Sequence, residues 1–256
     1  MQLVVDVGNT ETVFGVMADG DEPQHHWRIS TQVPRTVDEY GHLLRGLLHE
    51  VGLEGATLER AVLGSVVPGA SDVLVPTLER LVSRPPIVVD ADSPLPIRLD
   101  VEEPRTVGAD RIVNTLAARE LFARDTIVID LGTATTFDCI TADGVFVGGV
   151  IAPGVSAGLE WLGRRTAKLP RVELSQPEAV VGRRTETCIR SGIFYSVIDG
   201  VDGIVRRIRA DWDRPEALVV ATGGFASLVG QHLATVERME PYLTLRGLGL
   251  AGELLG

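Results

Sequence analysis

The chain has 256 residues, 45% of them hydrophobic and 23% charged, a composition that supports a large packed core and suits one large domain or two ordinary ones. A formal net charge of −11 excludes the basic footprint that a nucleic-acid surface needs. No apolar run approaches the roughly 20 residues that span a bilayer, so neither nucleic acid nor a membrane is an expected partner. The opening MQLVVDV enters an apolar strand pattern at once, without the basic region and long apolar core of a secretory leader, and predicts a cytoplasmic location. Cys139 and Cys188 have no metal-binding spacing and are expected to be buried thiols.

In chain order, residues 2–7, 12–17 and 26–31 read as three strands in a meander, separated by a Gly-Asn-Thr turn and by ADGDEPQ. TVDEYGHLLRGLLHEVG follows, with Tyr40, Leu43, Leu44, Leu47, Leu48 and Val51 at helical spacing and Gly52 as the stop. A strand over 61–67, a helix over 71–82 and the apolar run 86–90 complete a βββαβαβ order whose later strands must pair in parallel. The proline-rich RPPIVVDADSPLP is expected to be loop and edge strand. A connecting helix over 107–124 carries the stripe Ile112, Leu116, Ala117 and Leu121. Three more strands follow over 126–132, 135–141 and 144–152, then a helix over 156–162. A long helix over 186–210, a strand over 217–224 and helices over 225–232 and 248–255 end the pattern. The fold class is therefore α/β, built from two duplicated halves, 1–106 and 107–256, with the connecting helix assigned to the second.

The duplication has a chemical core. DVGNTETVFGV from Asp6 and DLGTATTFDCI from Asp130 align so that Gly8 matches Gly132, Asn9 matches Thr133, Thr12 matches Thr136 and Val13 matches Phe137. In each copy an apolar strand ends in Asp, a Gly permits a tight turn, and Asn or Thr supplies donors before the next strand. Such turns can cradle phosphate oxygens. A carboxylate beside them repels phosphate, so Asp6 and Asp130 read as holders of a cation between carboxylate and phosphate. Asp, Asn and Gly also favour ordinary hairpin turns. Two copies in matching strand contexts favour the chemical reading. His25 and His26 are vicinal, so on a strand they point to opposite faces and make a poor metal site.

These two hairpins in duplicated halves resemble the actin-like ATPase and sugar-kinase superfamily of ribonuclease H-like halves, in which ATP occupies the cleft between the halves. More narrowly, the chain resembles the type III pantothenate kinases over essentially its whole length. The motifs are DVGNTETVFGV (6–16), VGADR (107–111), DLGTATTFD (130–138), GGVIAPG (148–154), KLP (168–170) and ATGG (221–224). The resemblance implies ATP-dependent phosphorylation of pantothenate to 4′-phosphopantothenate, the first step of coenzyme A biosynthesis, with Mg²⁺ and a monovalent cation, K⁺ or NH₄⁺. It implies that Asp6, Val7, Gly8, Asn9, Thr10, Glu11, Thr12 and Val13 bind the ATP phosphates, that Thr133 adds a phosphate contact, and that Asp130 holds the monovalent ion. It also implies that Gly108, Ala109, Asp110, Arg111 and Thr185 contact pantothenate, with Asp110 as the base and the paired subunit of a homodimer helping to close the pocket. Read without the resemblance, Asp110 and Arg111 also suit the first turn of a helix. The glycines of VVATGG suit either an adenosine contact or a strand-to-helix turn.

Two positions depart from the family pattern. Val101 stands where many members carry tyrosine, three residues before the proline that precedes GADR. Glu11 places an acid in the first phosphate hairpin, where alternation along the strand is expected to turn it outward. Because fold and phosphate motifs do not set substrate identity, a kinase of another small hydroxy acid and a non-catalytic regulator resembling transcriptional accessory factors are the alternatives.

Overall fold

A computed structural model describes residues 1–18, 22–53, 58–165 and 169–256. Part of the ADGDEPQ turn and Lys168 of the KLP motif lie outside the described residues. Two compact units emerge, and they interleave along the chain. The first comprises Met1–Ala123, Asp143–Phe146 and Tyr242–Gly256, and the second comprises Arg124–Ala142 and Val147–Pro241. The linear boundary at 106/107 is therefore not the boundary between compact units. The connecting helix packs in the first unit because the C-terminal helix returns to cover it.

The first unit opens with β1 (Gln2–Val7), β2 (Glu11–Met17) and β3 (His25–Ser30), then α1 (Val37–Glu50), β4 (Arg60–Ser65), α2 (Ala70–Glu79) and β5 (Ile87–Val89). Its sheet has the order β3-β2-β1-β4-β5, with β1 antiparallel to β2 and parallel to β4. The central strands are covered on both faces, which is why β1 reads as a nearly continuous apolar run. Leu3, Val5, Val7, Phe14, Val16, Ala61 and Leu63 pack on the face of α1 and α2 with Tyr40, Leu44, Leu48, Leu74 and Leu78. Val4, Met17 and Val62 pack on the opposite face with residues of α3 (Ala109–Phe122) and α7 (Leu243–Leu255). α1 starts on a reciprocal cap, in which Thr36 Oγ1 accepts from the Glu39 N–H (3.3 Å) and Glu39 Oε2 accepts from the Thr36 N–H (2.7 Å). Between α2 and α3 lies the two-residue strand β6 (Arg98–Leu99).

The second unit contains β7 (Thr126–Leu131), β8 (Ala134–Ile140), most of β9 (Val145–Pro153), α4 (Ala157–Arg165), α5 (Thr185–Asp211), β10 (Leu218–Thr222), α6 (Ala226–Val229) and β11 (Arg238–Met239). Strand order in the second sheet is β11-β10-β7-β8-β9-β6. Apart from β6, that is the order of the first sheet with β7 to β11 standing for β1 to β5, so the duplication extends from motif to topology. Its core joins Ile127, Ile129, Leu131, Phe137, Phe194, Val205, Val219 and Ala221.

Several elements differ from their expected bounds. The short strands β6 and β11 had no alternation to announce them. α7 begins at Leu243, ahead of the expected 248, and its Gly247 and Gly252 lie close against Val113 of α3 and Gln2 of β1. The stretch from 225 to 232 is a single α-turn followed by a 3₁₀ turn, Gly230–His232. α3 is buried on more than the predicted stripe, with Val113, Asn114, Thr115 and Ala118 also inside. The Asn114 side-chain oxygen accepts from Thr244 Oγ1 at 3.1 Å, linking α3 to α7. Cys139 is a buried thiol as expected, whereas Cys188 is exposed on the first turn of α5. No described helix is long and apolar enough to cross a membrane.

Candidate active site

The two aspartate hairpins have the same burial pattern residue for residue along both strands. Their turns differ in length. Val7 pairs with Thr12 across Gly8 to Glu11, whereas Leu131 pairs with Thr135 across Gly132 to Ala134. Beyond the turn the structural correspondence is therefore one residue off the ungapped alignment. Thr12 matches Thr135, Val13 matches Thr136 and Phe14 matches Phe137, so both phenylalanines occupy the same fully buried position.

Period-two alternation decides where each carboxylate lies. Leu3, Val5 and Val7 enter the core under α1 and α2, so Asp6 falls on the other face with Val4, the face of α3. Asp6 is in register with Gly64 of β4, and a side chain at Gly64 would sit 3.5 Å from the Ala109 methyl. Val66 completes the link. Its N–H donates to the Val7 carbonyl at 3.1 Å, and its side chain stands 3.0 Å from where a Cβ on Gly108 would be. The GADR turn is thereby brought to the end of the Asp6 strand, about a hundred residues away in the chain.

Within GADR, Gly108 is the N-cap of α3 and Asp110 lies in its first turn. The Asp110 carboxylate folds back over Gly108 so closely that any β-carbon there would collide with it. Asp110 Oδ1 accepts from the Arg111 N–H at 2.8 Å. Burial pushes the Asp110 carboxyl above the usual carboxylate range, against the opposing pull of that hydrogen bond and of the Arg111 charge. A carboxyl so raised is a better proton acceptor than a solvated aspartate. Arg111 lies over the Phe146 ring, 4.8 Å from its centroid.

The stretch 6–13 divides by exposure. Val7 and Thr12 are buried, and the Thr12 hydroxyl hydrogen-bonds that of Thr31 at 2.8 Å. Asn9 and Thr10 form the exposed tip, closed by the Gly8 N–H donating to the Glu11 carbonyl at 3.0 Å. Glu11 turns outward as expected and pairs with Arg28 at 3.0 Å.

In the second unit Asp130 lies on the face away from the Ile127, Ile129 and Leu131 core, in register with Thr222. At Gly223, φ is 93° and a β-carbon would collide with Asp130 Oδ1 and the Leu131 backbone. That close approach accounts for the ATGG motif as a strand-to-helix turn seated on the aspartate. Thr133 is exposed at the tip of the second turn. Thr185 is exposed at the first residue of α5, next to the exposed Arg183 and Arg184, whose N–H groups both donate to Thr187 Oγ1 at 3.1 Å. His25 stacks on Trp27 and His26 lies against Tyr242, on opposite faces of β3. Val66 and Phe146 carry no motif of their own, and only the fold reveals their place beside GADR.

The family model for type III pantothenate kinase matches residues 2–207. The chain belongs to the type III pantothenate kinase family. A type III pantothenate kinase of Moorella thermoacetica is 44% identical over 255 residues, covering 99% of each chain. In fold, the chain is similar to a conserved Campylobacter jejuni protein assigned to the Baf family of transcriptional activators, with a TM-score of 0.61, 15% identity and 98% of each chain covered. An archaeal actin homologue gives a TM-score of 0.50 at 15% identity, covering 99% of each chain. Type III pantothenate kinases use ATP with a divalent metal, and the two halves seen here are of the actin-like kind.

Proposed function

We propose that the chain phosphorylates the primary hydroxyl of pantothenate from ATP, giving 4′-phosphopantothenate, the first step of coenzyme A biosynthesis. The observation that supports this reading is the junction of the Asp6 turn with GADR, where the half-buried Asp110 carboxyl, raised by desolvation, lies by the end of the strand proposed to bind phosphate. Gly8, Asn9 and Thr10 supply the exposed phosphate contacts of the stretch Asp6–Val13, while Thr12 braces the hairpin from inside. Thr133 is proposed as a further phosphate contact, and Gly108, Ala109, Asp110, Arg111 and Thr185 as contacts for pantothenate.

In the transfer, the pantothenate hydroxyl oxygen bonds to the γ-phosphorus as the bond to the β–γ bridging oxygen breaks. ADP leaves with that electron pair, and the hydroxyl proton passes to Asp110 as the alcohol becomes acidic. Arg111 holds the substrate carboxylate through its planar edge of N–H donors. Among the described residues no group of three or more His, Cys, Asp or Glu side chains forms a metal site. Single carboxylates such as Asp6 suit a Mg²⁺ carried largely by the nucleotide phosphates, where it offsets their charge. Asp130, against which the Gly223 turn packs, would hold K⁺ or NH₄⁺ in this reading.

A homodimer and a cytoplasmic location belong to the same proposal. Ile151, Trp161, Val180 and Val181 expose 61–81% of their surface within the second unit, apolar area that a second copy would cover. ATP consumption by the purified protein is expected to require pantothenate and to rise when Na⁺ is replaced by K⁺ or NH₄⁺, with Asp130→Asn blunting that response. No consumption with pantothenate in any of the three salts would overturn the assignment, and equal rates in all three would remove only the role of Asp130.

A further inference from the structure

We infer that Thr31 is a positioning residue for the phosphates of ATP, holding the tip of the Asp6 turn in its binding shape; this rests on the phosphate-binding role proposed for that turn. Thr31 lies outside the repeated hairpin motif, one residue past the end of β3. It reaches the turn twice. Its N–H donates to the Thr10 carbonyl at 2.9 Å, and its hydroxyl hydrogen-bonds that of Thr12 at 2.8 Å. Ser30 is in register with Glu11, so Thr31 stands opposite Thr10 and diagonal to Thr12.

Strand pairing between β1 and β2 ends at Val7 and Thr12, so the shape of Gly8 to Glu11 depends on what grips the two arms of the turn. The Val66 N–H holds the Val7 carbonyl from the β4 side at 3.1 Å, and Thr31 holds Thr10 and Thr12 from the β3 side. The tip is thereby shaped before a phosphate arrives, and a preformed turn binds without the entropy cost of ordering it. Thr12 is fully buried, so loss of its partner would leave a hydroxyl that no water replaces. Thr31 is steadied in turn. Arg35 Nη1 donates to the Ser30 and Val33 carbonyls at 2.8 and 3.2 Å, which fixes the link from β3 to α1 that carries it.

The role predicts a split between nucleotide and acceptor. Thr31→Val keeps the branched shape and the backbone N–H and loses the hydroxyl. It should raise KM for ATP about 2- to 10-fold, the worth of one hydrogen bond, with KM for pantothenate and kcat within about twofold. Thr31→Ser should restore the wild-type KM. Adding Thr12→Val to Thr31→Val removes both hydroxyls, so the melting temperature lost in the single variant should return while KM for ATP stays raised. A KM that returns with the melting temperature would make Thr31 merely structural and overturn the proposal, as would a normal KM in Thr31→Val. Amide exchange in the unaltered protein tests the same point without variants. A nonhydrolysable ATP analogue at about 100 times its Kd should slow exchange of the Thr31 N–H by up to about 100-fold, because only the closed turn binds it. The Leu53 N–H, which donates to the Leu48 carbonyl at 2.9 Å just past the end of α1, should not respond. No slowing at Thr31, or equal slowing at both amides, would overturn the proposal. Asn9→Asp, which sets a negative charge at the tip, separates the two readings. If it leaves KM for ATP unchanged, the phosphate role of the turn falls and Thr31 with it; if it raises that KM and Thr31→Val does not, only the role of Thr31 is lost.

Discussion

The two aspartate turns share their strands and differ in what stands behind them. Both follow a strand buried at all but the aspartate, and both lead into a strand with a fully buried phenylalanine, Phe14 or Phe137. The first turn spans Gly8 to Glu11 and is backed by Val66 and the start of α3, which brings an acid and an arginine to the strand end. The second spans Gly132 to Ala134, with Gly154 against the backbone of Gly132 and Thr133 and Gly223 against Asp130 and the Leu131 backbone. Core packing has kept the strands alike in both copies, because their inward residues have nowhere else to go. The turns make no such demands, and there the copies have parted, the first with GADR behind it and the second with the Gly154 and Gly223 backbone against it.

The largest expected effect tests whether the acid marks the difference between the units. Asp110→Asn should lower kcat by about 10²- to 10⁴-fold, with pantothenate affinity little changed by calorimetry. Its effect on stability should have the opposite sign. The Asp110 pKa is raised in the folded state by burial, so the folded protein favours the protonated acid. The stability this contributes is full below the unfolded pKa and is lost as pH rises through the folded one. Asn mimics the protonated form, so the variant should melt at or above the wild-type temperature at pH 8, and the gap should close on acidification. Near-normal turnover would remove Asp110 as the base and with it the chemical contrast between the turns.

The next effect addresses the second turn. By register, Gly223 follows the partner of Asp130 as Ser65 follows the partner of Asp6. Gly223→Ala should destabilise the protein by about 1–3 kcal/mol, since a positive φ and a collision with the aspartate both oppose it. Ser65→Ala should cost about 1 kcal/mol or less, the worth of the hydrogen bonds linking its hydroxyl to the Val67 backbone. Urea unfolding of the two variants would measure the contrast, and equal losses would break it.

The smallest effect concerns the residue unique to the longer turn. Glu11 points to solvent, and its contact with Arg28 is exposed on both sides. Glu11→Ala should change stability by no more than about 0.5 kcal/mol and leave KM for ATP within about twofold. A larger change in nucleotide affinity would place this carboxylate at the phosphates after all.

Much was legible in the chain because much of it is local. The strand and helix order follows from periodicity, and Thr36 with Glu39 writes its own helix start. Repeated Asp-x-Gly turns revealed the duplication because two copies of one packing problem keep the same residues. The one-residue slip between Thr12 and Thr135 was hidden, since an ungapped match cannot show that one turn is longer. Cys188 gave no sign of exposure, because a short helix start looks the same inside or out.

Local sequence sufficed for the strands, the two turn aspartates and the identity of the GADR residues, all matters of neighbours within a few positions. Tertiary structure alone decided that α3 joins the first unit, that Val66 ties GADR to the Asp6 strand, that burial raises Asp110 and that Phe146 lies under Arg111. Each of these depends on contacts between segments tens to hundreds of residues apart, whose energies come from desolvation and packing rather than from local backbone preference.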